Sequence, residues 1–168
     1  MEITLRHAAL GDAPAIAQIN LASWEAAYRG IVADAFLDNA SLEGRTTQWR
    51  ERITAAANPI LVAEVNGALQ GYCSLVLPAR DTDAGSLTAE IGAIYIAPDR
   101  FRGGIGSALI DAALDLMRER AFRDATLWVL TQNTRARAFY GRHGFHTDGT
   151  LQWIDGLEAE EIRLRRAL

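Results

Sequence analysis

Between Glu90 and Leu116 the chain reads Glu-Ile-Gly-Ala-Ile-Tyr-Ile-Ala-Pro, then Asp-Arg-Phe-Arg-Gly-Gly-Ile-Gly, then Ser-Ala-Leu-Ile-Asp-Ala-Ala-Leu-Asp-Leu. No other stretch constrains the fold as strongly. Ile91, Ile94, Tyr95 and Ile96 form an apolar, β-branched run suited to a strand buried on both faces. Pro98 and Asp99 stop it, and Gly103, Gly104 and Gly106 crowd the turn that follows. From Ile105 the apolar residues take helical spacing, at Ile105, Leu109, Ala112, Ala113, Leu116 and Met117. A strand, a glycine-rich turn and a helix in that order leave backbone N–H groups unpaired at the helix N-terminus, beside residues too small to block a ligand. Those amides and the helix dipole together favour a phosphate or a pyrophosphate.

Three kinds of glycine turn bind such groups. A P-loop needs Gly-Lys followed by Ser or Thr, and this chain has no lysine. A dinucleotide fingerprint needs a third glycine three residues after Gly106, where Leu109 stands. Its acidic ribose partner belongs at the end of the next strand, where Thr131, Gln132 and Asn133 stand. The third kind is the pyrophosphate loop of an acyl-CoA enzyme. The loop alone does not choose among them.

At 168 residues the chain is long enough to bury its own core, and 1–168 reads as a single domain without linker, repeat or low-complexity tract. The formal net charge of −4 argues against a nucleic-acid surface, which is usually basic. All 17 basic residues are arginine, a bias that genome composition explains. Cys73 is the only cysteine, which excludes an internal disulfide and fits a reducing compartment. It sits in a strand-like run and reads as a buried structural thiol. No cationic segment leads into an apolar stretch at the N-terminus, and no run approaches the ~20 apolar residues of a membrane span. The expected location is the cytoplasm, with no membrane contact.

Glu2 to His7 alternates as a first strand, with Ile3 and Leu5 inward. Gly11-Asp12 offers an N-cap, Pro14 suits a first helical turn, and Ile16, Ile19, Leu21 and Trp24 carry that helix toward Tyr28. Asp34 to Asn39 is a short helix, and Ser41 caps another that runs to about Ala57. Asn66-Gly67, between Ile60 to Val65 and Ala68 to Leu77, marks a tight hairpin. Pro78 to Ser86 is a polar loop holding Asp81 and Asp83. Beyond the long helix, Ala125 to Thr131 is a buried strand and Thr134 to Arg142 a helix closed by Gly144. Phe145 to Thr147 and Glu160 to Leu164 are the last strands. These elements make a mixed α/β sheet with helices on its faces.

Two blocks of this chain resemble the GNAT family of acetyl-CoA-dependent N-acetyltransferases. One is Glu90 to Pro98 followed by Phe101-Arg-Gly-Gly-Ile-Gly106. The other is Leu127-Trp-Val-Leu-Thr-Gln-Asn133, then Ala136, then Phe139-Tyr-Gly-Arg-His-Gly-Phe145. The resemblance extends in element order over nearly the whole chain. It implies a central, mixed, mostly antiparallel sheet of about seven strands flanked by helices, with the fourth and fifth strands splayed for the cofactor. It also implies an enzyme that moves the acetyl group of acetyl-CoA to a primary amine of a small molecule or peptide, by direct attack in a ternary complex. A non-catalytic acyl-CoA-binding sensor or regulatory module of the same fold is the alternative. Dimers are frequent in the family, so a homodimer is an expectation, and no metal is expected. The family's loop usually carries Gln or Arg three places before its first glycine. Phe101 stands there, so Arg102, and after it Arg100, are the candidates to meet the phosphates.

On this resemblance the backbone of Ile94, Tyr95 and Ile96 pairs with pantetheine, and the N–H of Ile96 meets the oxyanion. Phe101, Arg102, Gly103, Gly104, Ile105, Gly106 and Ser107 hold the pyrophosphate. Tyr140 is the candidate general acid, because a phenol near pKa ~10 stays protonated at neutral pH. Its other reading is packing beside Phe139. Asn133 either caps the next helix or binds the cofactor. Glu90 is the candidate base, acting on an ammonium through a water if partial burial makes it more basic, and is otherwise a solvated strand end. Trp24 and Tyr28, four apart on a helix, wall the acceptor pocket with Glu25, Asp81 and Asp83 nearby, although core packing suits Trp24 as well. His143 and His146 flank Gly144 without a third ligand and read as a solvated pair, not a metal site.

Overall fold

Asn66 and Gly67 both take positive φ, 53° and 76°, the conformation a two-residue hairpin turn demands. They fold Ile60–Val65 (β2) back against Ala68–Val76 (β3). Around this hairpin the computed structural model, which describes residues 2–168, builds one sheet of seven strands. The others are β1 (Ile3–His7), β4 (Thr88–Ile96), β5 (Asp124–Leu130), β6 (His146–Ile154) and β7 (Ala159–Ala167). Their order is β1-β2-β3-β4-β5-β7-β6. All neighbours are antiparallel except β4 and β5, which run parallel and pair only over Thr88 to Ile91 against Asp124 to Leu127. Beyond that point the two strands part.

The sheet separates two layers of helix. On one side α4 (Ile105–Glu119) buries Ile105, Leu109, Ile110, Ala113, Leu114 and Met117, the stripe its spacing calls for. Tyr140 of α5 (Thr134–Arg142) joins the same core. On the other side lie α1 (Ala13–Tyr28), α2 (Asp34–Asp38) and α3 (Leu42–Ala55). There Ile16, Ile19 and Trp49 pack against Val62 and Tyr72. Ser41 caps α3 as expected, its hydroxyl accepting from the Gly44 N–H at 3.0 Å. Asp12 does not cap α1. Its carboxylate accepts from the Ala9 N–H at 2.7 Å and from Arg6, so a nearby cation and an earlier turn take the oxygen atoms.

One extra residue sets which side of β4 faces which layer. Ser74 lies opposite Ala93 and Leu75 opposite Ile91, so Gly92 is a bulge. Before it, Ala89 and Ile91 join the α4 core, and after it Ile94 and Ile96 do. Glu90 and Tyr95 consequently share the α1 face. A Cβ at Gly92 would come within 3.2 Å of Val76 Cγ2.

The last two strands are longer than their sequence suggests. Every residue of β6 is exposed or half-buried, since it forms the sheet's edge, and an edge strand carries little apolar signal. Among the described residues no helix is long and apolar enough to cross a membrane.

Candidate active site

Where β4 and β5 part, a cavity of about 1180 Å³ opens through the sheet. One wall is the glycine loop. Gly104 precedes α4 with φ of +82°, a conformation that favours glycine. Arg102 also takes positive φ, 66°, which is uncommon for a residue with a side chain. This geometry turns the amides of Arg102, Gly104, Ile105, Gly106 and Ser107 away from every backbone or side-chain acceptor among the described residues. Five free donors at a helix N-terminus fit a diphosphate. Gly103, expected among them, has another task. Its N–H closes the turn onto the Arg100 carbonyl at 3.2 Å, and it does not line the cavity. Gly106 lies close under α5, where a Cβ would sit 3.2 Å from Phe139 Cζ.

The second wall is the bare edge of β4. The Ala97 N–H reaches back to Gln70 at 2.8 Å. Strand alternation therefore turns the N–H groups of Ile94 and Ile96 the other way, toward the gap that β5 has left. The Ile96 carbonyl already accepts the Ser23 hydroxyl at 2.9 Å. Tyr140 stands at the same gap. Its ring packs between Phe139 and Phe145, with centroids 5.3 and 6.2 Å away, and its hydroxyl has no partner among the described residues. Burial pushes this phenol's pKa up, so it stays protonated. Asn133 caps α5, its Oδ1 accepting from the Ala136 N–H at 3.1 Å, and still lines the cavity. Cys73 is fully buried and its thiol is pushed up to about 12 by that burial, which suits a structural residue.

On the α1 face the wall is phenolic and acidic. The Tyr28 and Tyr95 hydroxyls share a hydrogen bond of 2.8 Å, and burial raises the pKa of both. Trp24 is not on the wall. It stacks on Phe36 at 5.0 Å, beneath the Arg45 guanidinium, so packing is its role. Glu90 is 1% exposed, not a solvated strand end. Both its oxygens are taken by Arg80, through the backbone N–H, Nε and Nη2. Each oxygen already accepts two hydrogen bonds, which leaves neither open to a substrate. The acids expected near the acceptor are also engaged. Glu25 pairs with Arg29, Asp83 with Arg163, and Asp81 with Arg163 and the Trp128 indole. His143 is no solvated pair with His146. It packs on Phe139 and lies 3.2 Å from the Ser107 hydroxyl, whereas His146 is exposed. No cluster of metal-ligating side chains occurs among the described residues. Sequence reasoning missed Arg80, Gln152 and Glu161, all of which line the cavity.

Residues 18–145 match the model of the acetyltransferase (GNAT) family. The chain belongs to that family. As a GNAT protein it is an acyltransferase by class. It is 28% identical to a probable N-acetyltransferase of Mycobacterium tuberculosis over 97% of this chain and 92% of that one. Among solved structures it resembles the PaiA N-acetyltransferase of Thermoplasma acidophilum in complex with coenzyme A, with a TM-score of 0.78 and 21% identity over the whole of both chains. The ribosomal-protein-alanine N-acetyltransferase of Brucella melitensis superposes with a TM-score of 0.73 at 26% identity, over 98% of this chain and 99% of that one. The GNAT fold read from the sequence, with its splayed pair of strands, is therefore the fold observed. This GNAT chain departs from the usual loop at Phe101, and Arg135 of α5 lies over the Phe101 ring at 3.7 Å. Arg100, Arg102 and Arg135 all line the cavity.

Proposed function

We propose that this protein is an N-acetyltransferase that moves the acetyl group of acetyl-CoA to a primary amine of a small molecule or peptide, in a ternary complex and as a single-domain, cytoplasmic enzyme. The observation that carries this reading is the convergence of five free amides, a bare strand edge and the unpartnered Tyr140 hydroxyl on one cavity. The coenzyme A in the Thermoplasma structure of the same fold supports it.

Acetyl-CoA supplies an acyl carbon activated as a thioester. The amides of Arg102, Gly104, Ile105, Gly106 and Ser107, with the α4 dipole, hold the diphosphate. The cations of Arg100, Arg102 and Arg135 add attraction, and Phe101 supports Arg135. The free edge of Ile94 to Ile96 takes the pantetheine amides, and the free amide nitrogen of Asn133 adds a donor. The Ile96 N–H steadies charge that develops on the carbonyl oxygen. Tyr140 gives its proton to the departing sulfur. Tyr28 forms part of the acceptor wall. Glu90 positions Arg80 at the cavity mouth. No covalent acyl-enzyme is involved, because the one thiol is buried in β3 and held protonated.

The test combines binding and turnover. CoA should raise the melting temperature where ATP and NAD do not. Thiol release from acetyl-CoA should depend on an added primary amine. CoA binding without release by any amine points to the sensor instead, and stabilisation by ATP or NAD to a nucleotide module.

A further inference from the structure

Three carboxylates line the cavity: Glu90, Asp81 and Glu161. Arg80 holds the first and Arg163 pairs with the second. Glu161 alone of the three has no arginine partner among the described residues. Its Oε2 accepts from the Gln152 amide at 2.9 Å, and its Oε1 has no donor among the described residues. Strand register explains its place. Glu161 lies opposite Leu130, the last residue of β5, and opposite Gln152 of β6. Directly opposed residues project to the same face of a sheet. Leu130 packs among Val32, Leu37 and the partly buried Trp24 and Tyr28, so that face is the α1 face. Tyr28 and Tyr95 line the same cavity as Glu161; burial raises the pKa of both phenols, and the negative charge of Glu161 adds to both shifts. Tyr140 belongs to the core on the opposite side of the sheet. The gap between β4 and β5 thus has the phenol of Tyr140 on one side and an uncommitted carboxylate on the other. Apolar surface lies on this wall too: Ile154, two residues along β6 from Gln152, and Ile31 and the Tyr28 ring, which pack with Leu130, line the same cavity.

We infer that Glu161 receives the acceptor: it binds the ammonium of a primary amine carried on an apolar stem and takes its proton. The inference rests on the acetyl-transfer reading above. Glu161 removes one proton from the ammonium, directly or through one water, and frees the nitrogen lone pair. The C–N bond forms as the C–S bond breaks, and Tyr140 gives its proton to the sulfur. The second nitrogen proton restores the Tyr140 phenol, and Glu161 returns its proton to water. One ammonium and one thioester become one amide, one thiol and one released proton.

Glu161→Gln keeps the shape and the bond to Gln152 but removes the charge. Benzylamine, spermidine and an alanine-led tripeptide serve as acceptors, with thiol release read from pH 6.5 to 9.5. For the fastest of the three, kcat/KM in Glu161→Gln should fall about 100-fold at pH 7. It should recover toward wild type as pH rises and the amine deprotonates itself. Glu161→Asp should restore part of the loss. Calorimetry with CoA present should give an amine Kd weakened about tenfold in Glu161→Gln, with CoA affinity and melting temperature unchanged. A kcat/KM within twofold of wild type at every pH, or a loss of equal size at every pH, overturns the assignment and leaves the acetyl-transfer reading standing. A wild-type protein that binds no CoA, or binds it and acetylates none of the three, overturns both.

Discussion

The hydroxyl of Tyr140 opens on the cavity with no partner among the described residues. Tyr140→Phe therefore removes one oxygen and breaks no bond on which the fold relies. Turnover should drop at least about tenfold, with CoA affinity and melting temperature nearly unchanged. Steady-state rates and calorimetry on the one variant decide it, and unaltered turnover removes Tyr140 from the chemistry. Glu90 teaches the opposite lesson at the same scale. Partial burial was the condition on which it could serve as a base, yet burial came with an arginine attached. A buried carboxylate is stable only with such partners, and the same partners occupy the lone pairs a base needs.

Among the elements, the loop before α4 carries the donor site, and Gly104 is its most constrained point. A side chain there meets φ of +82° and a carboxylate meets the diphosphate with like charge. Gly104→Glu should abolish CoA binding by calorimetry. Gly104→Asn tolerates the same backbone without the charge and should retain measurable binding. Equal affinity in Gly104→Glu and wild type refutes the loop assignment. This element was legible because its signals are local: a β-branched run, three glycines and a change to helical spacing lie within 27 consecutive positions, 90 to 116. The Asn66-Gly67 hairpin was legible for the same reason. The acceptor wall was not. Arg80 and Glu90 are ten residues apart, and Arg163 lies 82, 80 and 15 residues from Asp81, Asp83 and Asp148. Glu160 and Glu161 read alike in a row of charges, and only the register of β7 turns Glu161 to the cavity and leaves Glu160 exposed. A slip of one residue exchanges them.

Across the whole molecule, Arg163 binds distant parts of the chain together. It is 4% exposed and pairs with Asp81 and Asp83 of the polar loop and with Asp148 of β6. That loop also carries Arg80, so the cluster holds the cavity mouth. The Arg163 guanidinium keeps the Asp83 carboxyl below its ordinary value. Asp148 is pushed up by burial, but the Thr150 N–H and Arg163 outweigh that and leave it lowered. Asp12 is likewise lowered by Arg6. Each of these groups binds its proton less readily folded than unfolded. Their stabilisation is complete above the ordinary value of 3.8 and is lost as pH falls through the lowered values. Arg163→Met should cost roughly 3–5 kcal/mol near pH 7, a fall in melting temperature of about 10 °C. The gap to wild type should narrow as pH falls below 3.8 and close only as the lowered values themselves are passed, because the wild-type carboxylates keep their charge longer than those of the variant. A gap of constant size from pH 7 to pH 2 argues that Arg163 acts through packing alone. The extra residue at Gly92 reaches equally far. A chain shortened by that one glycine would keep Ala89, Ile91, Ile94 and Ile96 on one face and Glu90 and Tyr95 on the other, but would run β4 as an unbroken ladder against β3. What such a deletion would take away is the bend that a bulge puts into its strand, placed one residue beyond the last pair of β4 with β5, where the cavity opens.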